Sequence, residues 1–211
     1  MRFSDSFVDQ LAHSLLDRLP CRDAQRRFCP ELSYGRHFGP PAADVRYAAV
    51  LALIYPHVDQ WVLMLTRRLD SLRHHAGQVS LPGGLMETGE SIEQTALREC
   101  HEELGVPPDQ VRTLGRLSQI HIYNSNFLVT PVVASLRRVP RLTPNPDEVD
   151  EVIHIPLSAL VDSDNLHWQS RFSFGIEFLA PHIRLEDHLI WGATAIMLGE
   201  LIAILRGLGI E

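Results

Sequence analysis

A mixed α/β fold is what this sequence predicts, and three observations carry the prediction. Two apolar β-type runs, RYAAVLALIY (46–55) and QWVLMLT (60–66), flank a short turn containing Pro56, His57 and Asp59, as two buried neighbouring strands would. A capped amphipathic helix follows over 91–104. Strand-type alternation then resumes over 111–122 and 127–136 around an Asn124-Ser125-Asn126 turn.

Taken in order, residues 5–18 carry Phe7, Val8, Leu11, Leu15 and Leu16 at helical spacing and end before Pro20. Such a stripe packs against its own domain or, as the alternative, against a partner or second copy. Residues 20–45, with Pro30, Gly35, Gly39, Pro40 and Pro41, read as a linker. The chain therefore divides into an N-terminal helix and linker, 1–45, and a main domain, 46–211, that includes the C-terminal helix.

After the first two strands comes a basic cluster, Arg67, Arg68, Arg73, His74 and His75. In an acidic protein it is explained by an anionic substrate, because Arg grips phosphate through two donors. Surface solvation or ion pairing is the alternative for Arg68 and Arg73. Gly77, Gly83 and Gly84 serve backbone geometry, and Pro82 sets the turn.

The next helix is the most informative stretch. Ser91 and Gln94 form a capping-box pattern at its start, and Gly105, followed by Pro107 and Pro108, supplies the stop. Ala96, Cys100 and Leu104 make the buried stripe, with Ile92 and Leu97 flanking, and Cys100 reads as a buried structural thiol. At roughly 100° per residue, Glu99, Glu102 and Glu103 share an arc beside that stripe. Like charges at this spacing oppose helix formation by roughly 0.2–0.5 kcal/mol per pair. Clustered carboxylate oxygens suit a hard divalent cation such as Mg2+, which binds through a few carboxylates, waters and substrate phosphates; a solvated acidic face is the bland alternative.

A Pro-rich loop over 139–148 ends in Asp147, Glu148, Asp150 and Glu151 and leads into the apolar run VIHIPL. Further β-type material, HWQSRF and IEFLAPHIRL, fills 166–191. Residues 193–206, ATAIMLGELIAILR, form a long apolar helix capped by Gly207, and their character predicts burial in the domain or at a homodimer interface.

Composition bounds the rest. At 211 residues, 45% hydrophobic and 21% charged, the chain can bury one sizeable core. A net charge of -7 argues against a nucleic-acid partner. All 19 basic residues are Arg, which removes Schiff-base lysine chemistry and the lysine of a phosphate-binding P-loop. Cys21, Cys29 and Cys100 form no CxxC pair, so neither a disulfide framework nor a zinc site is expected. The N-terminus lacks the apolar core of a signal peptide and no run is long enough to span a bilayer, so a soluble, cytoplasmic protein without membrane attachment is the expectation.

The stretch GLMETGESIEQTALRECHEELGV (84–106) sets five residues between Gly84 and Glu90 and seven between Glu90 and Arg98-Glu99, then Glu102-Glu103 and Gly105. This resembles the Nudix hydrolase box at its fixed positions, with Cys100 in the small apolar slot. A narrower resemblance, to the coenzyme A pyrophosphatase branch, runs through Leu65, Thr66, Arg68, Arg73, Gly77, Pro82, Gly83 and Gly84, and departs at Met64, Leu69 and Leu81. The WGATA at 191–195 before the last helix also resembles that branch.

The resemblance implies a mixed sheet sandwiched between helices and hydrolysis of a diphosphate linked to another group. It implies Mg2+ or Mn2+ held by Glu99 and Glu103 with Glu102 assisting, completed by a carbonyl of the Gly83-Gly84 loop. It pairs Arg98 with Glu90 as structural support, alongside Gly84 and Gly105, and places Arg68, Arg73 and Gly77 on the substrate side. One box glutamate or a later carboxylate would be the base; Glu148 and Glu151 are the candidates, with a solvated acidic loop as the alternative. The implied substrate is coenzyme A, with Arg68 or Arg73 reading its 3'-phosphate. The rivals are another nucleotide, such as ADP-ribose or a dinucleotide, and a nucleotide sensor without turnover.

Overall fold

A computed structural model describes residues 5–17, 19–31, 40–41, 43–71, 77–173 and 175–211. Two helices open it, α1 (Asp5–Leu16) and α2 (Cys21–Arg26). Strands β1 (Arg46–His57), β2 (Gln60–Arg68), β3 (Val79–Ser80) and β4 (Gly83–Leu85) lead to α3 (Ile92–Leu104). After it come β5 (Arg112–Arg116), β6 (Ile120–Ile122), β7 (Phe127–Ser135), β8 (Val149–Pro156) and α4 (Leu157–Val161). The chain ends with β9 (Leu166–Ser173), β10 (Ile176–Leu185), β11 (His188–Trp191) and α5 (Gly192–Gly207).

The main sheet runs β3-β2-β1-β7-β5, with β4 on β1, β6 on β7 and β8 on β2. It is mixed because β1 and β7 are parallel while the other pairs are antiparallel. A second antiparallel sheet, β11-β10-β9, follows.

Side chains alternate across β1, so the strand supplies both layers. Ala49, Leu51, Leu53 and Tyr55 pack with Ala96, Cys100 and Leu104 of α3. Ala52 and Ile54, from the opposite face, join Leu198, Leu201 and Leu205 of α5 and Leu11 of α1. This is the expected sheet between helices. Full burial of each Leu or Ile contributes about 1.5–3 kcal/mol, and the layers fix α3 against the sheet.

The α1 stripe packs within the chain through Val8, Leu11 and Leu15, while Leu16 stays outside. The segment read as linker departs from expectation at 21–26, which is helical. Its Pro and Gly residues all lie at or beyond Pro30, apart from Pro20 at the cap, so averaging over the whole segment hid a helix. Glu200 ties this helix down. That carboxylate, fully buried in the apolar α5, accepts from Cys21 N and Ser118 Oγ at 2.8 Å each, from Ser118 N at 2.8 Å and from Gln25 Nε2 at 3.3 Å. The same bonds break the strand expected over 111–122 into β5 and β6, because Ser118 turns its backbone to Glu200 instead of to a neighbouring strand. Among the described residues no helix is long and apolar enough to cross a membrane.

Candidate active site

The helix α3 begins and ends as its caps dictate. Gln94 N donates to Ser91 Oγ at 3.2 Å and Ser91 N to Gln94 Oε1 at 2.8 Å, and Gly105 closes the last turn in the left-handed region at φ 72°. Its buried stripe includes Cys100, whose thiol burial pushes up to about 12, as suits a packing residue.

Arg98 organises the carboxylates around it. Its guanidinium donates to Glu90 through Nε (2.7 Å) and Nη2 (3.1 Å), to Glu99 Oε1 (2.8 Å) and Glu102 Oε2 (3.1 Å) through Nη1, and to the Leu85 carbonyl (2.9 Å). Glu90 also accepts from Thr95 Oγ1 at 2.8 Å and Glu87 N at 3.0 Å. The Arg98 bond foremost, then the Glu87 amide, holds the Glu90 carboxyl down to about 2. Arg98 thus pins the loop before α3 to the helix. Thr95 is a member of this network that sequence reading missed; its spacing of five from Glu90 is the signal that could have shown it.

Glu103 is 4% exposed, and its Oε1 accepts from Gly83 N at 3.1 Å. Burial pushes its carboxyl up to about 7, against the Gly83 bond and the charge of Arg68, while Glu148 and Glu99 push it further up. Glu99 is also raised, by burial first, with Arg98 opposing and Glu102 and Glu148 adding. Gly84 lies against it: a Cβ there would come within 2.5 Å of the Glu99 carboxyl carbon. Glu102 stays exposed on the rim, on Arg98.

The Pro-rich loop is tied to the end of α3, with Asn145 N donating to Glu103 O at 2.8 Å and Thr143 N to Leu104 O at 2.9 Å. It brings Glu148 to the Glu99 and Glu103 side chains, whose charges it opposes. Glu151 sits instead with His188, at 3.5 Å. Arg68 lies on the Glu103 side, and Gly77, at φ 65°, donates its N–H to the Arg68 carbonyl at 3.2 Å. Arg67 is taken by Asp150. Arg73, His74 and His75 lie outside the described residues.

A cavity of about 1420 Å3 opens beside this cluster. Arg46, Arg68, Gly83 and Gly84 line it from the main sheet, and Arg171 and Trp191 from the second sheet. Sequence reading missed this second wall.

Residues 45–174 match the NUDIX domain. The chain belongs to the Nudix family. The uncharacterized Nudix hydrolase NudL of Photorhabdus laumondii subsp. laumondii is 38% identical, over 74% of this chain and 83% of its own length. Nudix hydrolase 3 of Caenorhabditis elegans is 34% identical over 98% of this chain and 95% of its own. The crystal structure of RenU, a Nudix hydrolase from M. smegmatis, is 20% identical and shares the fold with a TM-score of 0.51, covering 78% of this chain and 84% of that one.

As a Nudix hydrolase, the protein is an enzyme that acts on pyrophosphate bonds. The family generally depends on a divalent metal and acts on small-molecule nucleotides. Among the described residues, no three Asp, Glu, His or Cys side chains converge as a ready-made cage. The donors nonetheless fit a hard divalent ion: burial raises the Glu103 and Glu99 carboxyls and the charge of Glu148 raises both further, a cost that a cation would relieve. Mg2+ requires only one or two protein carboxylates when waters and substrate phosphates complete its shell.

Proposed function

We propose that this Nudix hydrolase cleaves the diphosphate of coenzyme A or its derivatives, giving 4'-phosphopantetheine and adenosine 3',5'-bisphosphate. The observation that carries the reading is the placement of the upstream signature. Leu65, Thr66 and Arg68 lie on β2 and Gly83-Gly84 on β4; Leu65 and Thr66 are buried there, while Arg68, Gly83 and Gly84 line the cavity, with Gly83 bonded to Glu103 and Arg68 acting on its charge.

Glu99 and Glu103 would hold Mg2+ or Mn2+, with Glu102 on the rim. The bound ion supplies charge neutralisation and a lowered pKa for the attacking water. Glu148, which faces both glutamates, is assigned the proton of that water. Water oxygen bonds to one phosphorus, the bond from that phosphorus to the bridging oxygen breaks, and the other phosphate departs in line. Arg68 offers positive charge to the diphosphate, and Arg98 with Glu90 keeps Glu99 and the Leu85 carbonyl in place.

Cleavage of a nucleotide panel in Mg2+ or Mn2+, read as phosphate released after phosphatase treatment, tests this. Coenzyme A turning over faster than ADP-ribose and dinucleotides is expected. Preference for one of those would reassign the substrate, and tight binding without cleavage of any would make the protein a sensor.

A further inference from the structure

The far wall of the cavity carries a cation, Arg171, that no carboxylate among the described residues pairs with. In the second sheet Arg171 pairs in register with Phe178, Gln169 with Ala180 and Trp191 with His182, so these side chains share one face, and four of them line the cavity along with Trp191. The Arg171 guanidinium lies over the Trp191 ring, 3.9 Å from its centroid. Its Nε is buried without a hydrogen-bond partner, and among the described residues no carboxylate forms an ion pair with it. The nearest acid in sequence register, Glu177, pairs with Phe172 on the opposite face and is bonded to Ser170.

Glu31 also reaches this sheet, where its Oε2 accepts from the Leu179 amide at 3.4 Å. His182 feels His167, Arg184 and Arg171, all acting in the same direction. A desolvated guanidinium with an unmet Nε donor is costly, and stacking on an indole leaves the edge of the guanidinium open to an oxyanion. In a chain of net charge -7, such a wall calls for an anion brought by the ligand.

Arg68 stands on the other wall, beside Glu103, where the diphosphate has to lie for the carboxylates to act on it. That position suits it to the scissile group rather than to a distant phosphate. We propose that Arg171, laid across Trp191, recognises a second anionic group of the substrate, a phosphate monoester carried on the nucleoside away from the diphosphate. This rests on the reading of the substrate as a 3'-phosphorylated nucleotide, and it moves recognition of that phosphate from the strand before the box to the second sheet.

Equilibrium binding separates the two claims, because it needs no turnover. Titrating the full-length protein in Mg2+ with adenosine 3',5'-bisphosphate and with adenosine 5'-monophosphate gives a preference ratio. The wild type is expected to favour the bisphosphate by about tenfold or more, the worth of one charge-assisted contact. Arg171→Gln is expected to bring the ratio to within about twofold, with monophosphate binding as the internal control for folding. Should that variant lose monophosphate binding as well, Arg171→Lys replaces it, keeping charge but not the fork, and a drop in the ratio to about threefold is expected. A wild type without preference, or a ratio unchanged in the variant that folds, overturns the proposal. A chain that fails to cleave coenzyme A but still shows the Arg171-dependent ratio would refute the substrate and leave this site standing.

Discussion

Glu103→Gln separates the metal site from the fold more cleanly than any other change. The substitution keeps an Oε1 acceptor for the Gly83 amide and removes only the charge. Burial holds the Glu103 carboxyl at about 7, above the ordinary 4.5. A raised carboxyl binds more protons folded than unfolded between these values, so stability falls as pH rises through that window and levels off above it. Without metal, the charged side chain then costs the fold roughly 3 kcal/mol at pH 8, and nothing at pH 4. In EDTA at pH 8 the variant is therefore expected to melt roughly 6–12 °C above wild type. The order reverses with metal: Mn2+ at a thousand times its Kd stabilises wild type by about 4.1 kcal/mol, more than that cost, and the variant gains little. Hydrolysis should fall by roughly a hundredfold or more. Thermal melts in EDTA and in Mn2+ at both pH values, with a nucleotide hydrolysis assay, read all of this. Wild-type rates in the variant, or no gain in its metal-free melting temperature at pH 8, would refute the reasoning.

Arg98→Lys loses the fork that spans Glu90, Glu99 and the Leu85 carbonyl, so metal affinity or kcat is expected to drop about 10–100-fold, measured by Mn2+ titration of the rate. The imidazole of His154 is pushed below its ordinary value by burial first and by His57 next, while its Nδ1 meets Tyr55 Oη at 2.6 Å. A depressed imidazole favours folding above pH about 6.5 and loses that contribution as pH falls through its folded value; urea midpoints at pH 7.5 and 5 should show the loss, and His154→Gln should flatten it. Glu200→Ala strands the amides of Cys21 and Ser118, and an unfolding free energy lower by about 3 kcal/mol or more is expected by denaturant titration.

Much of this was legible because it is local. The caps, the buried stripe and the acids of α3 all fall within one stretch, Gly84 to Gly105, so helical periodicity alone orders them. What escaped the sequence depends on distant pairing. Glu148 and Glu151 look alike in an acidic run, yet the register shift of β8 against β2 near Arg67 and Arg68 and the anchoring of Asn145 to Glu103 leave only Glu148 facing the site. Arg171 and Trp191 carry no local mark at all; the strand pairing of β9, β10 and β11 brings them to the cavity. Glu200, read as one polar letter in an apolar helix, holds α2 and the break between β5 and β6 in place.

The most direct measurement is a product assay with coenzyme A. Metal-dependent cleavage at the box carboxylates predicts equal amounts of 4'-phosphopantetheine and adenosine 3',5'-bisphosphate in Mg2+ or Mn2+, and neither in EDTA or with Glu103→Gln. Products that persist in EDTA and in the variant would contradict the metal site, and an intact coenzyme A beside a cleaved ADP-ribose or dinucleotide would contradict the substrate.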